Sequence, residues 1–290
     1  MSAMPSGQTK DAVDRVLSKT GDVAVLRQVV YKVMEMTAST DSAASTLEKA
    51  IVIDPGFSAK ILMQANSAYY ALPRKVTSIK EAVAYLGFKS VRQLAMAVGV
   101  FDLFVGKTDK EYIRRRGWWR RSLDTAVCTR YLADKLAIGH ADEGYTVGLL
   151  HYIGKTLMDR AEPEAYEKVL MLEERGASTF MAENAVFGCD HVVVGQAAAV
   201  RWGFPDLLVY GLDYINEPGP DDLHAKLRAL VAVSDNIAGM VVSTVQIQDV
   251  DVECIGCWPA KVLGLDSVER ARSTYSEAAE AIASAAQLSI

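Results

Sequence analysis

Cysteine is scarce: Cys128, Cys189, Cys254 and Cys257 are the four in a chain of 290 residues. That is too sparse for a disulfide framework, and the default expectation is a reduced, cytoplasmic protein. Long apolar runs are missing as well. Charge or glycine breaks every hydrophobic stretch before the roughly 18 residues a membrane span needs, so no membrane partner is expected. The opening Met1 to Lys10 is small and polar without an apolar signal core, and nothing marks export. Nor does one charge dominate. Lysine and arginine total 31 against 36 acidic residues, for a net charge of -5, which excludes a globally basic nucleic-acid coat and a highly charged disordered tail. Any nucleic-acid contact must be local.

Half of the chain is hydrophobic, enough for one large or two small domains to bury a core unaided. The apolar residues recur at threes and fours almost throughout; Leu26, Val29, Val30, Val33 and Met34 form one such stripe. Convincing alternating strand pairs are lacking, so the fold class is all-α. Start and stop signals agree. Ser78 to Glu81 forms a capping box, its helix is stopped by Gly87, and Ser90 to Gln93 opens another. Pro163 suits the first turn of a helix ending at Gly176, and Asp190 can cap a helix ended by Gly203 and Pro205.

Polar residues 106–110 interrupt the pattern and mark a subdomain junction too short to be a free linker. A second break, residues 216–222, precedes a helical tail with an alanine-rich helix over about 268–286. Residues 243–259 have few helix formers and suit a short extended piece. The expected organisation is an N-terminal arm (1–19) whose first residues fray, an N-terminal helical subdomain (20–106), a second helical subdomain (107–218) and a helical C-terminal extension (219–290).

The segment Gly148 to Thr156 ends in Gly-Lys-Thr and invites a phosphate-loop reading. The spacing rejects it, because five residues separate the glycines where four are required, and the setting is an amphipathic helix.

A different pattern is carried by several segments in order. Ile53-Asp-Pro-Gly-Phe-Ser-Ala-Lys-Ile-Leu62, Ala65-Asn-Ser-Ala-Tyr69 and Ser78-Ile-Lys-Glu-Ala-Val-Ala-Tyr-Leu-Gly87 are followed by Trp119-Arg-Arg-Ser-Leu-Asp-Thr-Ala126 and Gly148-Leu-Leu-His-Tyr-Ile-Gly-Lys155. Glu183, Gly188-Cys-Asp-His191, Gly195 and Trp202-Gly-Phe-Pro205 complete the series. Together they resemble the HDOD branch of the HD superfamily of metal-dependent phosphohydrolases, over roughly residues 20 to 218. The resemblance implies an all-α N-terminal bundle packed on a degenerate HD-type bundle, with a helical C-terminal extension.

The resemblance also implies where metal ligands would stand. Active HD enzymes hold one or two divalent ions through an early histidine, an adjacent His-Asp pair and a later aspartate; the ion lowers the pKa of bound water to make hydroxide. This chain carries Arg121 at the early histidine, and a guanidinium cannot ligate a cation. The His-Asp pair reads His151-Tyr152. His191 survives at a later histidine position, Asp213-Tyr214 stands where a His-His pair is often found, and the final aspartate aligns with Asp235. The expectation is a remnant pocket of Arg121, His151, Tyr152, His191, Asp213 and Asp235, with no catalytic residue, no metal and no cofactor. Within it, an Arg121–Asp235 ion pair replaces the metal as local countercharge; alternatively Arg121 points to solvent.

His151 on an apolar helix face also suits a hydrogen-bonded packing role, as His191 does beside the capping Asp190. His140 and His224 read as surface residues. Arg114, Arg115, Arg116, Arg120 and Arg121 surround Trp118 and Trp119, a mixture that can grip phosphate and stack bases, or form a solvated helix face around a packing tryptophan. Cys254 and Cys257 have CxxC spacing, but without a second pair the reading is packing rather than zinc or redox chemistry.

The functional expectation is a non-catalytic, HDOD-type bacterial signal-transduction or regulatory protein working through signalling-protein partners. Docking would use an apolar patch at the junction between halves or on the alanine-rich tail helix. Two alternatives stay open. One is a metal-dependent phosphohydrolase acting on a phosphodiester or nucleotide through His151, His191, Asp213 and Asp235. The other is a receptor holding a cyclic dinucleotide or other anion against Arg121.

Overall fold

The structure is a computed structural model that describes residues 7–20, 30, 32–33, 44–67, 70–106, 108–242, 257–265 and 267–285. Among these residues every regular element is helical, as the three- and four-residue periodicity requires.

The N-terminal half contributes α1 (Gly7–Thr20), α2 (Ala44–Val52), α3 (Pro55–Ala65), α4 (Ile79–Leu86) and α5 (Phe88–Phe104). Asp54 caps α3 by accepting the Phe57 amide at 3.0 Å, with Pro55 at the first position; a proline there loses no helical hydrogen bond. Asn66 closes the following loop by exchanging two 2.8 Å bonds with the Val76 backbone. Ser78 Oγ accepts the Glu81 amide at 3.1 Å, as expected of the capping box. The next helix starts earlier than its Ser90 signal. Gly87, at φ 82°, ends α4 and opens α5 two residues before Ser90.

The second half contains α6 (Asp109–Lys135), α7 (Ala141–Leu150), α8 (Ile153–Ala161), α9 (Pro163–Glu174), α10 (Thr179–Phe187), α11 (His191–Arg201) and α12 (Asp206–Gly211). The Pro163, Gly176, Asp190 and Gly203 signals all fall at helix ends. Three more helices follow: α13 (Ala225–Val242), α14 (Trp258–Val262) and α15 (Val268–Ala285). The extended piece expected over 243–259 lies outside the described residues up to 256, and 258–262 are helical.

The long α6 is the spine. Helices α7, α13 and α15 lie along it and α5 crosses it. At Gly148 an added Cβ would stand 2.6 Å from the Cα of Ala126, so the glycine sets how closely α7 approaches. One apolar cluster runs from Val16 and Phe57 through Trp119 to Val231, joining both halves. A second, with Cys128, Leu132, Leu230, Tyr275 and Ile282, seats α13 and α15 on α6. The apolar face of the alanine-rich tail helix is thereby covered internally, and it does not supply the docking patch expected of it.

Two guanidinium groups fix the junction. Arg160 donates to the carbonyls of Leu103 at 3.0 Å and Val105 at 2.7 Å, and Arg115 to Val105 at 3.3 Å. They satisfy carbonyls at the end of α5, where positive charge is also favoured. Most of the expected N-terminal arm is helical. Residues 7–20 form α1, which buries Ala12, Val13, Val16 and Leu17 against α8 and α11, and Arg15 donates to the Phe187 carbonyl at 3.0 Å.

Candidate functional site

Packing α13 on α6 brings Arg121 to Asp235, Nε to Oδ1 at 2.6 Å. The ion pair expected from sequence is present, and the reading of Arg121 as a solvent-facing residue is not. Its guanidinium fits because residue 239, one turn beyond Asp235, is glycine; a Cβ there would lie 2.7 Å from Arg121 Cζ. His151 follows α7 and is buried. Its Nδ1 lies 2.6 Å from the Gly148 carbonyl, which can only accept, so Nδ1 carries the proton. Its Nε2 faces Asp235 Oδ1 at 3.2 Å, and the Tyr152 hydroxyl reaches Oδ2 at 3.5 Å.

The electrostatics follow from burial against charge. Burial lowers the His151 pKa and outweighs the attraction of Asp235. Burial alone would raise Asp235, but His151 and Arg121 hold its carboxyl well below the usual carboxylate range. Burial, together with Asp235, pushes the Tyr152 phenol up. The centre is therefore an arginine–aspartate pair with a protonated phenol beside it and with His151 held between two acceptors, the Gly148 carbonyl and Asp235 Oδ1.

His191 opens α11 and is fully committed. Its backbone and ring nitrogens bond Glu183 Oε2 at 2.9 Å and 2.6 Å, and Nε2 lies 2.8 Å from the Tyr214 hydroxyl. A carboxylate only accepts, so Nδ1 donates and Nε2 takes the Tyr214 proton. Tyr166 donates to the other Glu183 oxygen at 2.9 Å. Gly154 permits this arrangement: a Cβ there would lie 2.7 Å from the His191 carbonyl carbon, so α8 can touch the start of α11.

Asp213 departs from expectation. Its carboxylate pairs with Arg228 at 3.1 Å and accepts from Asn216 at 2.6 Å, and it does not line the cavity beside His191. Its neighbour Tyr214 does. The basic cluster departs further. Arg114 and Arg115 both pair with buried Asp159, Arg115 at 2.6 Å, and Arg120 pairs with Asp124 at 2.8 Å. Arg116 is exposed above the Tyr112 ring. Trp119 packs on Phe101 and Phe104, and Trp118 on Tyr166. These groups tie α6 to α8 and to the core, and both tryptophans take part in that packing. Cys254 lies outside the described residues, while Cys257 caps α14 at the cavity. His140 is exposed at the start of α7; His224 is half-buried and stacks on Tyr210.

The metal implied by the HD resemblance does not fit these residues. Among the described residues no group of three His, Cys, Asp or Glu side chains is placed to hold an ion. The His191 lone pair is taken by Tyr214, and the Asp235 oxygen that faces His151 is taken by Arg121. A dication added at Asp235 would meet a fixed guanidinium charge.

Beside this centre lies a cavity of about 630 Å³. Tyr152, Lys155, Phe180, His191, Tyr214 and Trp258 line it, with Ser178, Thr179 and Asp235. The sequence places Lys155 in a rejected phosphate loop and at the end of the Gly148–Lys155 stretch of the family pattern without giving it a site role, and Phe180, Trp258 and Gly239 were passed over. A lysine one turn along an apolar helix face was a readable signal for the first. Gly239, four residues after Asp235 and so on the same helical face, was one for the pocket that admits Arg121. Trp258 carried no signal, because it comes from a distant segment.

Comparison with known proteins agrees with this architecture. The HDOD domain matches residues 23–218. A Geobacter sulfurreducens HDOD domain protein of unknown function superposes with a TM-score of 0.74 at 21% identity, covering 94% of this chain and 97% of that one. A Shewanella amazonensis SB2B protein named as a candidate phosphohydrolase gives 0.70 at 23% identity, covering 95% and 98%. A candidate signal-transduction protein from Marinobacter aquaeolei VT8 gives 0.66 at 19% identity, covering 95% and 65%. An uncharacterised Treponema pallidum protein is 24% identical over 208 residues, 70% of this chain and 39% of the relative, so the chain spans well under half of that protein's length. With a helical fold throughout its described residues and a domain match over two thirds of its length, this chain belongs to the HDOD domain family.

Proposed function

We propose that this chain is a non-catalytic regulatory protein that works by contact with signalling proteins. The observation that carries the reading is the Arg121–Asp235 pair at 2.6 Å. A positive side chain fixed on the last HD aspartate supplies the countercharge that an ion supplies in an active enzyme, and it cannot lower the pKa of a bound water. His151 has one nitrogen on the Gly148 carbonyl and the other on Asp235, so it lacks a free nitrogen for proton shuttling. The likeness to the Marinobacter signal-transduction protein supports a regulatory role.

Exposed apolar side chains flank the junction of the two halves: Val105, Tyr112 and Ile113, the last 71% exposed. They support this region as the contact surface, since large apolar groups left in water near one another mark interaction sites. The test is hydrolysis of bis(4-nitrophenyl) phosphate and of cyclic dinucleotides with added Mn²⁺ or Mg²⁺. Turnover is expected to stay at background; metal-dependent turnover abolished by His151→Ala would overturn the reading.

A further inference from the structure

Lys155 is only 7% exposed, yet it lines the cavity rather than the core. Its ammonium sits 4.1 Å from the centroid of the Tyr152 ring. Among the described residues no carboxylate lies within ion-pairing distance of it. The acidic groups that act on it are engaged elsewhere: Glu183 by His191 and Tyr166, Glu173 by the Thr179 hydroxyl, and Asp235 by Arg121 and His151. Burial without a counterion disfavours the charged ammonium, and buried lysines ordinarily have a partner. The partner is missing from the protein side of the cavity.

The opposite wall is suited to supply the rest of an anion site. The cavity reaches Ser178, Thr179 and Phe180, the cap and first two residues of α10. Ser178 Oγ accepts the Met181 amide at 3.3 Å, so the Thr179 and Phe180 amides belong to the first turn, which has no helical acceptors and carries positive partial charge. Tyr152, Phe180, Tyr214 and Trp258 supply aromatic surface, and the carboxylate in the lining, Asp235, is paired with Arg121. A cavity of this size, apolar with a few convergent donors, is the ordinary form of a small-molecule site.

We propose that this cavity binds a small aromatic anion, with its charged group on Lys155 and the first turn of α10 and its ring among Tyr152, Phe180 and Trp258. The anion sits at Lys155, not at Arg121, whose guanidinium Asp235 already occupies. The inference rests on the non-catalytic reading, because a working metal centre would make the bound anion a substrate instead of a held ligand. Occupancy would neutralise Lys155 and tie α8 to α10 and α14, so the ligand state can be read out in the packing of the C-terminal helices.

The probe is 8-anilinonaphthalene-1-sulfonate, compared with its uncharged relative N-phenyl-1-naphthylamine, by fluorescence titration of the full chain. The sulfonate is expected to bind saturably at one site. Lys155→Met should weaken it by about tenfold or more, Lys155→Arg by less than about threefold, and neither should alter binding of the neutral amine. Near-ultraviolet circular dichroism confirms that each variant is folded. Acetylation of wild-type lysines, mapped by peptide mass, needs no variant: bound sulfonate should protect Lys155. Non-saturable binding, equal weakening of both probes by Lys155→Met, or a Lys155 that stays unprotected would each overturn the proposal. None of these readouts involves metal or turnover, so their failure leaves the non-catalytic reading intact, whereas phosphodiester hydrolysis, measured separately, would sink that reading and with it the held-ligand role proposed here.

Discussion

Gly239 and Arg121 are fitted to each other: a Cβ at residue 239 would stand 2.7 Å from the Arg121 guanidinium carbon, and Asp235, one turn earlier on the same helix, holds that guanidinium at 2.6 Å. The guanidinium of Arg121 is thus matched on the facing helix by a space and a charge.

Gly239→Ala should therefore displace Arg121 and destabilise the fold by about 1–3 kcal/mol, the usual range for overpacking. In an Arg121→Ala background the same change should cost much less, because its clash has been removed. Urea denaturation of the four proteins of the cycle measures the coupling.

Asp235→Asn leaves Arg121 without its counter-charge. The expected loss is about 2–3 kcal/mol, below the ~3–5 kcal/mol typical of a wholly buried broken pair, because 21% of the Arg121 side chain remains exposed. Replacing Arg121 and Asp235 together by Leu and Ala should recover part of it. Thermal denaturation at neutral pH is the check.

Burial lowers the His151 pKa in the fold. From its ordinary value of about 6.5 down to the folded value, the unfolded chain takes up a proton that the fold refuses, so stability falls with pH through this window and is fully present above it. Asp235, held far below the usual carboxylate range, keeps its full contribution above its ordinary value of 3.8 and loses it progressively below, so it adds little slope between pH 7 and pH 5.5. The urea midpoint should drop between pH 7 and pH 5.5, and His151→Gln should flatten that drop.

Tyr214→Phe removes the hydroxyl 2.8 Å from His191 Nε2 and leaves a buried acceptor unpaired. A loss of about 1–2 kcal/mol is expected. Glu183→Ala should cost more, since three bonds converge on that carboxylate. Chemical denaturation of both variants orders them.

Much of this was legible in the chain, for local reasons. Asp54, Ser78, Asp190 and the glycines at 87, 176 and 203 act on backbone groups within a few residues, so caps and ends could be read directly. Arg121, Tyr152 and Asp235 were readable because a family pattern supplied their long-range partners. Asp213 was misplaced by the same route: its position matched, but Arg228, fifteen residues on, captures its carboxylate. The arginines at 114 and 115 looked like a surface patch because helix packing brings their shared partner Asp159 to them from a distant segment, whereas Glu111 and Asp124, each four residues from Arg115 and Arg120, were local signals of pairing. Lys155 became informative only once α10, α13 and α14 closed a cavity around it and gave its ammonium no carboxylate.

The central claim is that Arg121 occupies the place and charge of an ion. Manganese titration followed by electron paramagnetic resonance tests it most directly, since free Mn²⁺ gives a six-line signal that is lost on tight binding. The signal should stay at its protein-free amplitude with the wild-type chain, while Arg121→His with Tyr152→Asp, which restores two ligand positions, should diminish it. Stoichiometric loss of the signal with the wild-type chain, through His151 and Asp235, would contradict the account.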